Sequence, residues 1–160
     1  MDEARLGRCS WLVDGSLPPC LMVRTASAVQ RSAVMALVKS KGNRSTELVF
    51  VRLLRSARIS GWRRHADLIG RPDFAFRTER VVVFLDGCFW HGCPRCYRAP
   101  ATNRRYWATK VASNVARDRR QRERLRRLGW SVMRIWEHSL RLPDAVLSRL
   151  RRAGLKPRSA

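Results

Sequence analysis

The stretch PDFAFRTERVVVFLD, residues 72–86, decides how the rest of the chain is read. Its second half, Val81, Val82, Val83, Phe84 and Leu85, is apolar at every position. A strand with one wet face alternates between apolar and polar residues. One that is apolar throughout is covered on both faces, so residues 81–85 predict a central strand with helices on either side. Residues 74–76 form a shorter apolar strand, and Arg77 to Arg80 supply the polar turn of a hairpin. Asp73 opens the first strand and Asp86 follows the second, so antiparallel pairing brings both carboxylates to one end of the sheet.

Upstream, TELVFVRLLRSAR at residues 46–58 predicts a helix capped by Ser45, with Leu48, Val49, Val51, Leu53 and Leu54 in a wide apolar stripe and Gly61 just past its end. Residues 62–68 read as a strand, with His65 as an ordinary strand residue. Downstream, a long helix begins after Asn103, where Trp107, Val111, Val115, Leu125 and Leu128 recur near helical spacing and Gly129 ends the run. Residues 130–136 form a further strand that delivers Glu137 and His138 at its end. This order gives an α/β domain with a mixed central β-sheet flanked by helices. Residues 1–25, with Gly15, Pro18 and Pro19 and no periodicity, predict a flexible arm. Residues 26–142 form the domain, opening with a short helix or ordered arm over 26–38, and residues 143–160 make a basic tail with room for one amphipathic helix.

A chain of 160 residues suits one hydrophobic core. Its 34 Lys plus Arg against 12 Asp plus Glu leave a net charge of +22, which calls for a polyanionic partner, nucleic acid first. No window approaches the roughly 18 apolar residues of a membrane helix, and the first residues are acidic where a secretion signal would be basic, so an intracellular location, cytoplasmic and beside the nucleoid, is expected. Cys88, Cys93 and Cys96 crowd into nine residues, which in a reducing compartment points to a metal site. Cys9 and Cys20 stand apart.

Phosphodiester hydrolysis with magnesium needs carboxylate oxygens to hold the ion, and Asp73, Asp86 and an outer contact from Glu47 are the candidates. His91, five residues past Asp86, is the candidate general base. Each acid also has a plain reading: Asp73 as a turn cap, Glu47 as a favourable charge at a helix N-terminus, Asp86 as the start of a loop. The three thiols need a fourth ligand for a closed tetrahedral zinc site, either His91 or His138. His91 is separated from Cys93 by the single residue Gly92, an awkward spacing, and as a ligand it could not serve as a base. On the long helix, Asn114, Arg117, Arg119 and Arg120 can grip backbone phosphates, or form a solvated face on which Asp118 and Glu123 pair locally. Phe89 and Trp90 are either core residues or an exposed aromatic contact for a partner.

The segments DGCFWHGCPRCY (86–97), PATNRRYW (100–107), NVARDRR (114–120), LGW (128–130) and RIWEHSL (134–140), with NRSTE (43–47) and GRPDF (70–74), resemble the very-short-patch mismatch repair endonucleases over about residues 26–140. The resemblance implies a restriction-endonuclease-like fold and a magnesium-supported nick on the 5′ side of the thymine in a T:G mismatch of double-stranded DNA. It implies that Asp73 is the central magnesium ligand, that the Leu85 carbonyl is a second, that Glu47 orders metal-bound water and that His91 is catalytic. Asp86 stands where relatives of that kind differ. The resemblance also makes Cys88, Cys93, Cys96 and His138 the structural zinc ligands, and makes Phe89 and Trp90, with Met35 from the N-terminal arm, a wedge between base pairs. A monomer is implied, with repair proteins or a cytosine methyltransferase as associates. Two rival expectations are a related nuclease of other specificity and a zinc-stabilised DNA-binding protein without catalysis.

Overall fold

The computed structural model describes residues 45–157; the expectations for residues 1–25 and 26–38, and those for Cys9, Cys20 and Met35, lie outside them. The elements run α1 (Glu47–Ser56), β1 (Trp62–Arg64), β2 (Phe74–Phe76), β3 (Val81–Asp86), α2 (Arg104–Arg127), β4 (Ser131–Trp136), a 3-10 turn (Glu137–Arg141) and α3 (Pro143–Arg152). The four strands form one mixed sheet in the order β1-β2-β3-β4. β1 with β2 and β2 with β3 are antiparallel, while β3 and β4 are parallel and joined through α2. A parallel neighbour requires such a crossover, and a helix buries an apolar stripe on the way.

Strand parity sorts the side chains into two layers. Val81, Val83 and Leu85 of β3 and Ile135 of β4 face one side, where they pack with Phe50 and Leu54 of α1 and Val146 and Leu150 of α3. Val82 faces the other side with Ala75, Leu125 of α2 and the partly buried Phe84 and Val132. The apolar run at 81–85 is therefore covered on both faces, as its composition requires. Phe74 is fully buried between the edges of Phe50 and Trp62, with ring centroids 4.9 and 5.5 Å away. Burying each such ring contributes roughly 1.5–3 kcal/mol.

Four expectations are corrected. The strand over 62–68 stops at Arg64, because His65 adopts φ +49° and leaves the extended region. The cap of α1 falls to Thr46, and Ser45 donates its hydroxyl to Glu137 Oε1 at 3.1 Å instead. On α2 the buried face is Val111, Asn114, Asp118 and Leu125, whereas Val115 and Leu128 are 46% and 54% exposed. Two of those buried positions are polar because that face covers the site loop as well as the sheet. Finally, residues 143–157 are no separate tail: Val146, Leu150 and Leu155 complete the core against α1, so the domain runs past the boundary expected at 142. Among the described residues, no helix is long and apolar enough to cross a membrane.

Candidate active site and metal centre

The hairpin register places the acids. Phe74 pairs with Val83, so Asp73, one residue before Phe74, sits opposite the end of β3. There the Leu85 amide donates to Asp73 Oδ2 at 2.7 Å, which fixes the carboxylate through the main chain whatever side chain Leu85 carries. The Asp73 carboxyl is nevertheless raised above its usual range, first by burial and then by the negative charges of Glu47 and Asp86. Glu47, in the first turn of α1, is buried and points at the same place. Arg64 donates to Glu47 Oε2, and His65 Nε2 lies 3.1 Å from the same oxygen. Glu47, His65 and Asp73 each offer one ligand atom within 4.8 Å of the others, an arrangement that can hold a divalent ion. His65 was expected to be an ordinary strand residue; its positive φ is what ends β1 and leaves the ring beside these acids.

Asp86 lies at the same end but is engaged elsewhere. Arg134 of β4 takes both of its carboxylate oxygens, one through Nε and one through Nη2. Parity explains the meeting: Phe84 pairs with Arg134 and Asp86 with Trp136, so Asp86 and Arg134 both project toward α2. The buried face of α2 presents Asp118 to them. Asp118 Oδ2 accepts from Arg134 Nη2 at 2.9 Å and lies 2.6 Å from His91 Nδ1. The two donors converge on one oxygen and so stand 3.2 Å from each other. Burial would raise the Asp118 carboxyl, but the hydrogen bond from His91 and the charge of Arg134 outweigh it and hold it below the usual range. For Arg134, burial opposes the charged form, and the pairing with Asp86 and Asp118 more than offsets it, so its basicity is raised.

The loop after β3 is folded by short-range bonds, with the Cys93 amide donating to the Cys88 carbonyl and the Tyr97 amide to the Cys93 carbonyl, both at 2.9 Å. Gly92 has φ +63°, and a Cβ there would stand 3.0 Å from Val111 Cγ1, so the loop needs glycine to lie against α2. Asn114 of α2 donates to the Trp90 carbonyl at 3.0 Å, tying the loop down. The Sγ atoms of Cys88, Cys93 and Cys96 stand 3.2, 3.5 and 3.4 Å from His138 Nδ1. A tetrahedral ion of zinc's size, with bonds of roughly 2.3 Å to sulfur and 2.1 Å to nitrogen, sets that separation at about 3.6 Å. The four residues therefore fit a metal ion, zinc being one that suits the donor set. Burial, with Cys93 and Cys96 close by, pushes the Cys88 thiol up to about 12, and a bound cation would favour its thiolate form. Cys93 is lowered, since amide donation from Arg95 and Cys96 overcomes its burial. His138 is lowered by burial and by Arg95 and Arg141, which favours the neutral ring a metal requires. His91 is turned to Asp118 and stands outside this cluster.

Phe89 and Trp90 are half-buried, not core and not bare. Their rings pack on Trp107, with centroids 5.1 and 5.8 Å away, and Phe89 also touches Tyr97. Of the expected phosphate contacts, Arg117, Arg119 and Arg120 are exposed on α2, whereas Asn114 is buried and bonded to the loop. Asp118 and Glu123 do pair locally, with Arg117 at 3.5 Å and Arg119 at 3.0 Å, but Asp118 is also turned inward to His91 and Arg134. Sequence reasoning missed three members of the site, His65, Asp118 and Arg134. The one signal available for Arg134 was a lone charge inside an apolar strand, which requires a buried partner.

The family model described as DNA mismatch endonuclease Vsr matches residues 25–98, which includes the Asp73 hairpin and the cysteine loop but ends before α2. The chain is 50% identical over 76 residues to the type II nicking enzyme V.NaeI of Lentzea aerocolonigenes, and 49% identical over 78 residues to the DNA mismatch endonuclease Vsr of Escherichia coli (strain K12). Each match covers 48% of this chain, and the chain spans about half the length of those two relatives, 45% and 49%. It is 36% identical over 132 residues, 81% of this chain, to the type II nicking enzyme V.XorIIP of Xanthomonas oryzae pv. oryzae (strain KACC10331 / KXO85), where it spans 96% of the relative. With a likeness of that extent, the chain belongs to the DNA mismatch endonuclease Vsr family.

Proposed function

We propose that this chain is a magnesium-dependent endonuclease that nicks double-stranded DNA on the 5′ side of the thymine in a T:G mismatch, on a restriction-endonuclease-like fold with a structural zinc ion held by Cys88, Cys93, Cys96 and His138. The observation that carries the reading is a junction of two devices at one end of the sheet. An acidic cluster there can hold a divalent ion, and beside it lies an imidazole paired to a buried carboxylate.

Asp73, held by the Leu85 amide, would anchor the ion, with Glu47 and His65 beside it, and the Leu85 carbonyl would add a main-chain donor. Magnesium, when bound, polarises the scissile phosphate and stabilises the departing oxygen. The chain's own part is proton handling and placement. The Asp118 carboxylate against His91 Nδ1 selects the tautomer with its proton on that atom, so Nε2 is the nitrogen that accepts a proton from the attacking water. Asp86 serves in this reading as the counter-ion of Arg134. Arg117, Arg119 and Arg120, with a net charge of +22 behind them, bind the phosphate backbone without reading sequence. Phe89 and Trp90, supported by Trp107, enter the mismatched step, where unstacking costs least. The protein works as an intracellular monomer on the chromosome, with repair proteins or a cytosine methyltransferase as associates.

A second reading, in which the nick follows a different recognition rule, has loose support from the relatives named as type II nicking enzymes. The test of the chemistry is nicking of a strand-labelled T:G duplex by wild type, Asp73→Asn and His91→Ala across a magnesium titration. Wild-type nicking that both variants lose supports the site. Tight binding with no turnover at any magnesium concentration supports a catalytically silent DNA-binding protein instead.

A further inference from the structure

Arg134 stands in the interior of β4 with its side chain 21% exposed, its guanidinium 5.8 Å from the Phe84 ring. Around it gather Asp86 and Asp118, whose side chains are 3% and 9% exposed, and the His91 ring. Without the guanidinium, two buried carboxylates would flank one imidazole. His91 Nδ1 lies 2.6 Å from Asp118 but 3.8 Å from Asp86 Oδ1, close enough for either acid to claim it. An unpaired Asp86 would also be a third carboxylate at the end of the sheet where Asp73 and Glu47 stand.

We infer that Arg134 is a positioning residue of the proposed nuclease site: by occupying both oxygens of Asp86 it assigns His91 to Asp118 and withholds Asp86 from the divalent metal. This rests on the nuclease reading for its kinetic consequence, but not for its metal-binding one. A lysine cannot substitute, because one ammonium cannot span two oxygens of Asp86 and a third of Asp118 in the plane of a guanidinium fork. Removing Arg134 leaves Asp86 free to draw His91 away from Asp118 and to enter the metal's ligand set. Removing Asp86 as well takes away the competing acid.

The test compares zinc-replete wild type, Arg134→Met, Arg134→Lys and Arg134→Met/Asp86→Leu, each checked for folding by near-ultraviolet circular dichroism. Manganese binding without DNA is measured by calorimetry, and nicking of a T:G duplex gives kcat and KM. Arg134→Met is expected to bind manganese about tenfold more tightly or with an added equivalent, since it gains a carboxylate ligand. Its kcat falls about tenfold or more, a part of the 10²- to 10⁴-fold that a placed base supplies, with KM little changed. Arg134→Lys follows Arg134→Met, and the double variant returns both quantities toward wild type. Unchanged manganese binding in Arg134→Met overturns the inference, as does a double variant no better than the single one, which is the mark of a merely structural arginine. If wild type nicks nothing, the functional reading fails, and the manganese isotherms alone still decide the role of Arg134.

Discussion

Zinc held as proposed by Cys88, Cys93, Cys96 and His138 would stabilise this fold, and replacing His138 by alanine should remove most of that gain. Cys88, Cys93 and Cys96 are close in sequence, so an unfolded chain can gather them around the ion almost as well as the folded one. His138 is different, being 50 residues from Cys88. In the folded protein the rung between Asp86 and Trp136 has already brought both to the same place. In the unfolded chain that loop must be closed afresh, at a cost of about 4 kcal/mol for a loop of this length. Zinc held by these four residues would therefore bind the folded state more tightly by about that amount, and by linkage would stabilise the fold equally. At roughly 3 °C per kcal/mol, zinc-loaded wild type should melt about 12 °C above the chelator-treated protein. His138→Ala should melt near the chelated wild type while retaining zinc through its three thiolates. Scanning calorimetry beside elemental analysis reads both quantities. A wild type whose melting ignores a strong chelator, or a His138→Ala protein that melts with wild type in zinc, refutes the reasoning.

Three other outcomes follow from the same geometry. Asp118→Asn should lose about 2 kcal/mol at pH 7, because charge-assisted bonds to His91 and Arg134 go while Arg134 keeps Asp86. Since the Asp118 carboxyl is held low in the folded state, its contribution is present above the unfolded carboxylate value of roughly 3.9 and is lost as pH falls through the lower folded one; urea melts of the pair should converge only below about pH 4. Leu150→Ala, at a fully buried position of α3, should cost about 3 kcal/mol in urea unfolding, and a near-neutral result would return residues 143–157 to the status of a tail. Trp90→Ala should weaken binding to a T:G duplex by about tenfold in a fluorescence titration and leave binding to the matched duplex nearly unchanged, and equal losses on both would remove the wedge.

The parts of this molecule written in local pattern were legible in the sequence. The uninterrupted apolar run at 81–85 demanded cover on both faces and has it, and the three cysteines in nine residues do converge with His138 on one point. What stayed hidden depends on backbone conformation or on long-range register. His65 joins the acids because its φ is positive, and a non-glycine residue gives no local sign of that. Asp118 looked like one more charge on an arginine-rich face. Its burial follows from a helix phase set by Val111, Asn114 and Leu125, whereas the apolar residues Val115 and Leu128 point to a different face and are exposed. Arg134 meets Asp86 across 48 residues only through the parallel register of β3 and β4. The apolar spacing after Pro143 allowed an amphipathic helix, but whether it packs depends on the open side of α1.

The activity proposed for this site is a nick in DNA at a mismatched thymine. The measurement that meets it most directly places two duplexes side by side with magnesium, identical except for one T:G or T:A pair, each labelled on either strand and resolved to single-nucleotide length. One product is expected, cut on the 5′ side of the mismatched thymine, absent from the T:A duplex and absent with Asp73→Asn. Equal cutting of both duplexes, or nicking that survives in Asp73→Asn, would contradict it.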